Sequence, residues 1–340
     1  MGRRSSPGRV RRWATIARVM AGIAFPVVCA ATAAAQNADV KIVVTIKPIH
    51  SLVAQLTDGV AEPVLLVDGA ASAHSFALRP SQVRAVSTAD LFIRVSERLE
   101  PFTGRLIRSL PTSVSTVTLV DAPGVKLLEQ RAHLDFEAHD HVHDHRHDHA
   151  APHAADADSH IWLDPDNAKA IGAYLRDVLA QKYPQHAERF ASNYARLAAG
   201  VDQLTHELAA ATASLKRRPF VVFHDAYQYF DHRFGLNAVG SITVSPEVKP
   251  SAKRLNELRS KIRALGAACV FAEPQFQPGL VAAVIEGTNA RSGTLDPEGR
   301  MLEAGPDLYA TLMRDLASGL KGCLQPRASA ASRNDGEPSP

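Results

Sequence analysis

Short, largely apolar runs alternate with helical patterns along most of this chain, and that alternation restricts it to an α/β fold. Val40–Ile46 reads VKIVVTI, Pro63–Val67 reads PVLLV and Asp90–Val95 reads DLFIRV. Strands of this kind belong in a parallel sheet covered on both faces by helices. Helical patterns intervene at Ser51–Leu56 and Ser81–Ser87, and Asp164-Pro165 opens another that runs to about Lys182. Proline in a first helical turn forfeits only an N–H that has no intrahelical partner. The rhythm restarts after Lys216-Arg217-Arg218. Strands are expected at Phe220–Phe223, Gly235–Ile242 and Ala268–Phe271, and helices at Ser251–Leu265, Pro278–Gly287 and Asp307–Leu320. Between the halves Phe190, Tyr194, Leu197, Val201, Leu204 and Leu208 recur at spacings of three and four. A helix of about 30 residues extends ~45 Å, long enough to run the height of two lobes. The expectation is two α/β lobes, 39–183 and 216–325, joined by a rigid helix over 184–215.

The two ends of the chain stand apart from this pattern. Arg3, Arg4, Arg9, Arg11 and Arg12 precede an apolar, Ala-rich stretch over Val19–Ala35, and Ala33-Ala34-Ala35 offers a small-residue cleavage site. That is the pattern of a secretory signal peptide over 1–35. Pro26-Val27-Val28 before Cys29 lacks the small residue of a lipoprotein site, and the export route stays open. Residues 1–38 hold six arginines and no acid, so their removal leaves 32 Lys and Arg against 35 Asp and Glu. The basicity belongs to the leader, and no nucleic-acid partner is expected. Residues 326–340 are rich in Ser, Ala, Pro and Asn, the composition of a disordered tail. With Cys29 in the leader, Cys269 and Cys323 are the cysteines left. In an oxidising compartment such a pair is most simply a disulfide, with two free thiols as the alternative.

From Arg131 to His160 the sequence is RAHLDFEAHDHVHDHRHDHAAPHAADADSH. His139, His141, His143, His145, His147, His149 and His153 are interleaved with Asp140, Asp144, Asp148, Asp156 and Asp158. Neutral imidazole ligates zinc, nickel and copper. Without apolar residues to offset ordering entropy, the segment reads as a disordered, metal-attracting loop over 133–158. A solvated linker or a pH-sensitive tether is the plainer alternative.

Three further histidines have distinctive settings. His74 lies in a small-residue loop leading into a helix, His160 begins HIWLDP where the histidine run ends, and His224 directly follows the strand PFVVF. Ligands of open α/β sheets bind beyond the carboxyl ends of strands, which is where His224 falls. Asp296, in GTLDP, is a fourth candidate. Spacing alone does not make these four a site, since no two lie within a helical turn. Asp225 reads either as a partner orienting an imidazole or as a helix cap. Glu273, in AEPQF, is placed at a strand end in a supporting role. Arg79 and Pro80 are expected to shape the helix entry, Glu62 and Asp68 to be loop residues, and His50, His186, His206 and His232 to serve surface or packing.

HSFALRPSQ, HIWLDP, FHDAYQYF, AEPQF and GTLDP, in this order, resemble the metal-binding solute receptors of ABC importers, in particular the zinc-uptake branch. The likeness spans about Val40 to Cys323. It implies metal held between the lobes by His74, His160 and His224, with Asp296 or a water as fourth ligand. Some relatives use a glutamate directly before the first histidine, where this chain has Ala73. The resemblance also implies a His-rich accessory loop and a Cys269–Cys323 disulfide. It points to a periplasmic monomer that captures Zn²⁺ for an inner-membrane ABC permease and its ATPase, with no reaction catalysed. Three imidazoles and one oxygen suit tetrahedral Zn²⁺, whereas Mn²⁺ favours carboxylates. A manganese or iron receptor of the same type is the alternative. Readings of other classes are a metal-binding adhesin and an exported zinc hydrolase, although no HExxH or HxHxDH pattern occurs.

Overall fold

In the computed structural model, residues 1–2, 40–69, 71–131, 136, 153–154, 156–243, 245–274 and 278–325 are described. The expected leader beyond Gly2, the tail and His139–His149 lie outside them. The first lobe is built from β1 (Ile42–Val44), α1 (Lys47–Leu56), β2 (Val64–Leu65), α2 (Pro80–Ser87), β3 (Leu91–Arg94), α3 (Phe102–Arg108), β4 (Ser115–Thr118) and α4 (Pro165–Lys182). Its parallel strands lie in the order β2-β1-β3-β4. A 3-10 turn at Pro184–His186, the helix α5 (Ala187–Thr212) and a second 3-10 turn at Ala213–Leu215 carry the chain to the second lobe.

That lobe comprises β5 (Pro219–His224), α6 (Gln228–Phe234), β6 (Asn237–Thr243), α7 (Ala252–Leu265), β7 (Cys269–Ala272), α8 (Pro278–Ile285), β8 (Arg291–Thr294) and α9 (Leu308–Leu324). Its order, β6-β5-β7-β8, repeats the topology of the first sheet, and all its pairings are parallel. The expectation of two parallel sheets flanked by helices and joined by a long helix therefore holds. Among the described residues no helix is long and apolar enough to cross a membrane.

The elements that the apolar pattern does not announce are β4 and β8, one edge strand of each sheet, and the shortest helices. β4 reads STVT and β8 reads RSGT, each with half its positions or more open to solvent. An edge strand has fewer faces to bury and needs no continuous apolar run. Helices α3 and α6 span 7 residues each, too short for a periodic signal to stand out.

One core runs through the first lobe, along α4, α5 and α9, and onto one face of the second sheet at Phe220, Val222 and Phe271. The opposite face, with Val221, Phe223 and Val270, packs on α7 and α8 through Leu258, Ile262, Val281 and Val284. Gly172 of α4 sits where a Cβ would come within 3.2–3.3 Å of Leu197 and Tyr194 of α5, so glycine permits the close approach of these two helices. Cys269 and Cys323 form the disulfide, tying the start of β7 to α9.

The segment between β8 and α9 returns to the first lobe. Lys47, buried at the start of α1, donates through Nζ to the carbonyls of Arg300 and Leu302 at 3.0 and 2.8 Å. Trp162 Nε1 donates to Pro297 O at 2.8 Å, and Ser51 Oγ to Pro306 O at 2.7 Å. Asp296 is thereby placed close to the lobe junction.

Candidate metal centre

Each of the three motif histidines is set by a local device. His74 occupies a 3-10 turn, Ala73–Ser75, between β2 and α2. α2 starts at Pro80, and its first turn is closed by Arg79 N donating to Gln82 Oε1 at 2.9 Å, while Gln82 Nε2 ties it to Leu66 O. His160 precedes a 3-10 turn, Ile161–Leu163, that leads through the Asp164 N-cap into α4. His224 ends β5, the strand from which the chain departs to β6 on one side and β7 on the other. The carboxyl ends of strands at such a reversal form the usual ligand crevice of open α/β sheets.

These three residues converge. One ring nitrogen from each of His74, His160 and His224 lies within 4.8 Å of the other two, and Nε2 of His160 stands 3.4 Å from Nε2 of His224. Zn–N bonds of about 2.0–2.1 Å in a tetrahedron separate two nitrogens by about 3.3–3.4 Å, so this pair already spans one tetrahedral edge. His74 Nε2 is buried and has no hydrogen-bond partner among the described residues. A buried acceptor left that way is costly, and a cation at the centre of the cluster removes the cost.

Both remaining nitrogens of the closer pair are held by carboxylates. His160 Nδ1 donates to Asp158 Oδ1 at 2.7 Å, and His224 Nδ1 to Glu273 Oε1 at 2.5 Å. Such bonds fix the tautomer that turns Nε2 to the metal and raise its basicity. Burial drives the His74 imidazole down to about 2, helped by His224 and His160, so it stays neutral. Burial acts on His160 in the same direction, but the charge and hydrogen bond of Asp158, with the charges of Glu298 and Asp225, more than offset it and the net shift is upward.

Around this cluster lies a cavity of about 270 Å³ whose wall includes Arg98, Gln130, Asp158, Asp225 and Ser245. Asp225, open in the sequence between two roles, pairs with Arg131 at 2.7 Å rather than with an imidazole. Burial holds its carboxyl above the usual range, against the pull of Arg131. Asp296 lies outside the converging group: Oδ1 accepts from Glu298 N at 3.2 Å and Oδ2 from Met301 N at 3.3 Å. His50, expected to serve surface or packing, is buried and bonded through Nε2 to Pro63 O at 2.9 Å.

Of the histidine-rich segment, His153 is described and exposed, whereas His139–His149 are outside the described residues. Part of the stretch 133–158, expected to be disordered, lies among the described residues and has defined partners. Residues 156–158 are held to 128–130 by an antiparallel bridge between Glu129 and Ala157, and by Gln130 N to Asp156 O and Asp158 N to Leu128 O. Asp158, read in the sequence only as one of the carboxylates interleaved in the histidine-rich loop, is the partner of His160. Its position two before His160 was the available signal.

Known proteins share this arrangement of sequence and fold. The family described as zinc-uptake complex component A, periplasmic (ZnuA) matches residues 42–323. The high-affinity zinc uptake system protein ZnuA of Brucella abortus (strain 2308) is 43% identical over 304 residues, covering 83% of this chain and 91% of that protein. The protein of the same name from Yersinia pestis is 34% identical over 294 residues, covering 85% and 92%. A crystal structure of ZnuA superimposes with a TM-score of 0.69 at 22% identity, covering 84% of this chain and all of that one. A match running from the first strand to the second cysteine of the disulfide, with both lobes included, places the chain in the ZnuA family.

Proposed function

We propose that the protein is a periplasmic receptor that captures Zn²⁺ between His74, His160 and His224 and delivers it to an ABC permease. The observation that carries this reading is the convergence of three imidazole nitrogens within 4.8 Å of one another, one pair of them 3.4 Å apart, with the rings of that pair braced by carboxylates. Three neutral nitrogen donors suit zinc better than manganese, and the shell of buried acids around them offsets the charge of a divalent ion. Relatives at 43% and 34% identity bear the name of high-affinity zinc uptake proteins, which supports zinc as the cargo. Binding is reversible and the ion leaves unchanged, so the permease and its ATPase supply the work of import. The remaining metal position takes an oxygen donor. Metal analysis of protein purified from the periplasm, with and without His74→Ala, tests the reading. One zinc per chain, lost in the variant, is the expected result; retention of zinc at full occupancy in the variant would overturn it.

A further inference from the structure

We infer, resting on the three-histidine reading above, that Arg300 is a positioning residue for His74. Its guanidinium reaches from the segment between β8 and α9 and holds the backbone of the loop that carries this histidine. The other two rings have side-chain braces: Asp158 holds His160 at Nδ1, and Glu273 holds His224. Among the described residues no hydrogen bond fixes the ring of His74. The place of this third ligand is therefore set through its backbone.

That backbone is gripped from the β8–α9 segment at two points. Arg300 Nη1 donates to Ala71 O at 2.6 Å, just ahead of the 3-10 turn Ala73–Ser75 on which His74 sits. Lys47 Nζ, which donates to the carbonyls of Arg300 and Leu302, also pairs with Asp68 at 3.1 Å, at the start of the same loop. Arg300 is itself anchored, with Nη2 on Glu298 Oε1 at 3.1 Å, and each of these two residues is 6% exposed. A buried ion pair of this kind adds little net stability over apolar residues, and its best-attested use is to specify geometry. The planar guanidinium fork suits that use, because it sets two acceptors at a fixed angle to one another, here a first-lobe carbonyl and Glu298. An ammonium group at the same place keeps the charge and loses the fork. Zinc tolerates little error in ligand distance, so a loop released at Ala71 weakens the site even though every ligand is still present.

The test measures zinc affinity in buffers of fixed free Zn²⁺. Trp162, whose ring lies 5.4 Å from that of His160, reports occupancy of the three-histidine site by its fluorescence. Arg300→Lys keeps a positive charge beside Glu298, so a purely electrostatic role would leave affinity as it was. Positioning predicts a loss of about tenfold. In a His74→Ala background the same change should cost less than about twofold, because no third ligand is left to misplace. Parent affinity in Arg300→Lys overturns the inference. An equal loss with and without His74 also overturns it, since Arg300 would then support the fold rather than the ligand. Should Arg300→Lys fail to fold, the combined change Glu298→Gln and Arg300→Met leaves no buried charge unpaired and runs the same cycle, decided by the same two outcomes. Failure of the three-histidine reading looks different: His74→Ala alone would then bind zinc like the parent.

Discussion

Glu273 stands beside His224 because two neighbouring strands share a register. β5 and β7 pair Phe220 with Cys269 and Val221 with Val270. Carried three places further, the pairing sets His224 next to Glu273, and Oε1 reaches Nδ1 at 2.5 Å. Both side chains are buried, at 3% and 2% exposure. A metal-binding imidazole in such a pair is locked in ring orientation and tautomer by its partner.

Glu273→Ala is therefore expected to weaken zinc binding by roughly 10–100-fold without changing its stoichiometry. Glu273→Gln keeps an acceptor for Nδ1 and should lose less. Competition against a chromophoric chelator measures both. Equal affinity for the alanine variant and the parent protein would remove the orienting role.

Zinc affinity should fall on acidification, and His160 contributes a step above the ordinary imidazole range. Its pKa is raised by Asp158, so in the metal-free protein it holds a proton at pH values where a free histidine has released it. Zinc must displace that proton, which costs about tenfold in affinity per pH unit below the pKa. His74 stays neutral throughout and adds no step. The Trp162 ring lies 5.4 Å from that of His160, so its fluorescence serves as the readout. Asp158→Asn should move the onset to lower pH; an onset unmoved by that change would count against Asp158 as its cause.

Much of this was legible in the residues. The strands at the sheet centres announce themselves because burial on both faces demands continuous apolar runs, as in Phe220–Phe223. The long helix shows because Phe190 to Leu208 repeat with helical spacing over several turns. His74, His160 and His224 could be named from their motif words. Their convergence could not, because it depends on how the two sheets present their strand ends. The Asp158 and Glu273 hydrogen bonds were illegible for the same reason: one needs a backbone turn, the other a strand register. Asp296, also named from its motif, accepts a backbone N–H on each oxygen, a local arrangement that the motif does not announce.

Glu100 gives the apo fold a pH dependence of its own. It is fully buried and receives Val95 N and Ser96 N, each at 2.9 Å, together with the Thr45 hydroxyl. Burial raises its carboxyl to about 7. The folded state thus binds this proton more tightly than the unfolded chain, and stability declines as pH rises from the unfolded value toward 7 and beyond. The difference amounts to about 3–4 kcal/mol at most. Glu100→Gln can still accept from both backbone groups and donate to Thr45. Denaturant unfolding of the variant should show a flatter profile between about pH 4.5 and 7, and equal slopes would rule Glu100 out as the source.

Where the histidine-rich segment is cut should matter more than how much is removed. Arg131 pairs with Asp225, next to His224, and lies 4.0 Å over the ring of Phe136. Phe136 is itself buried, and its N–H donates to Val239 O at 3.2 Å. A deletion of 133–153 extracts Phe136 and strips Arg131 of its cover, whereas a deletion of 138–152 leaves both in place. Loss of a buried phenylalanine costs about 3 kcal/mol or more. The shorter deletion should keep one tight zinc and the parent melting temperature, losing only weaker sites. The longer one should melt several degrees lower. Its zinc affinity should also fall, since Asp225 beside His224 loses a fixed counter-ion. Calorimetric zinc titration and thermal melts of the two proteins decide the point. Identical behaviour would show that Arg131 and Phe136 do not anchor the edge of the metal cavity.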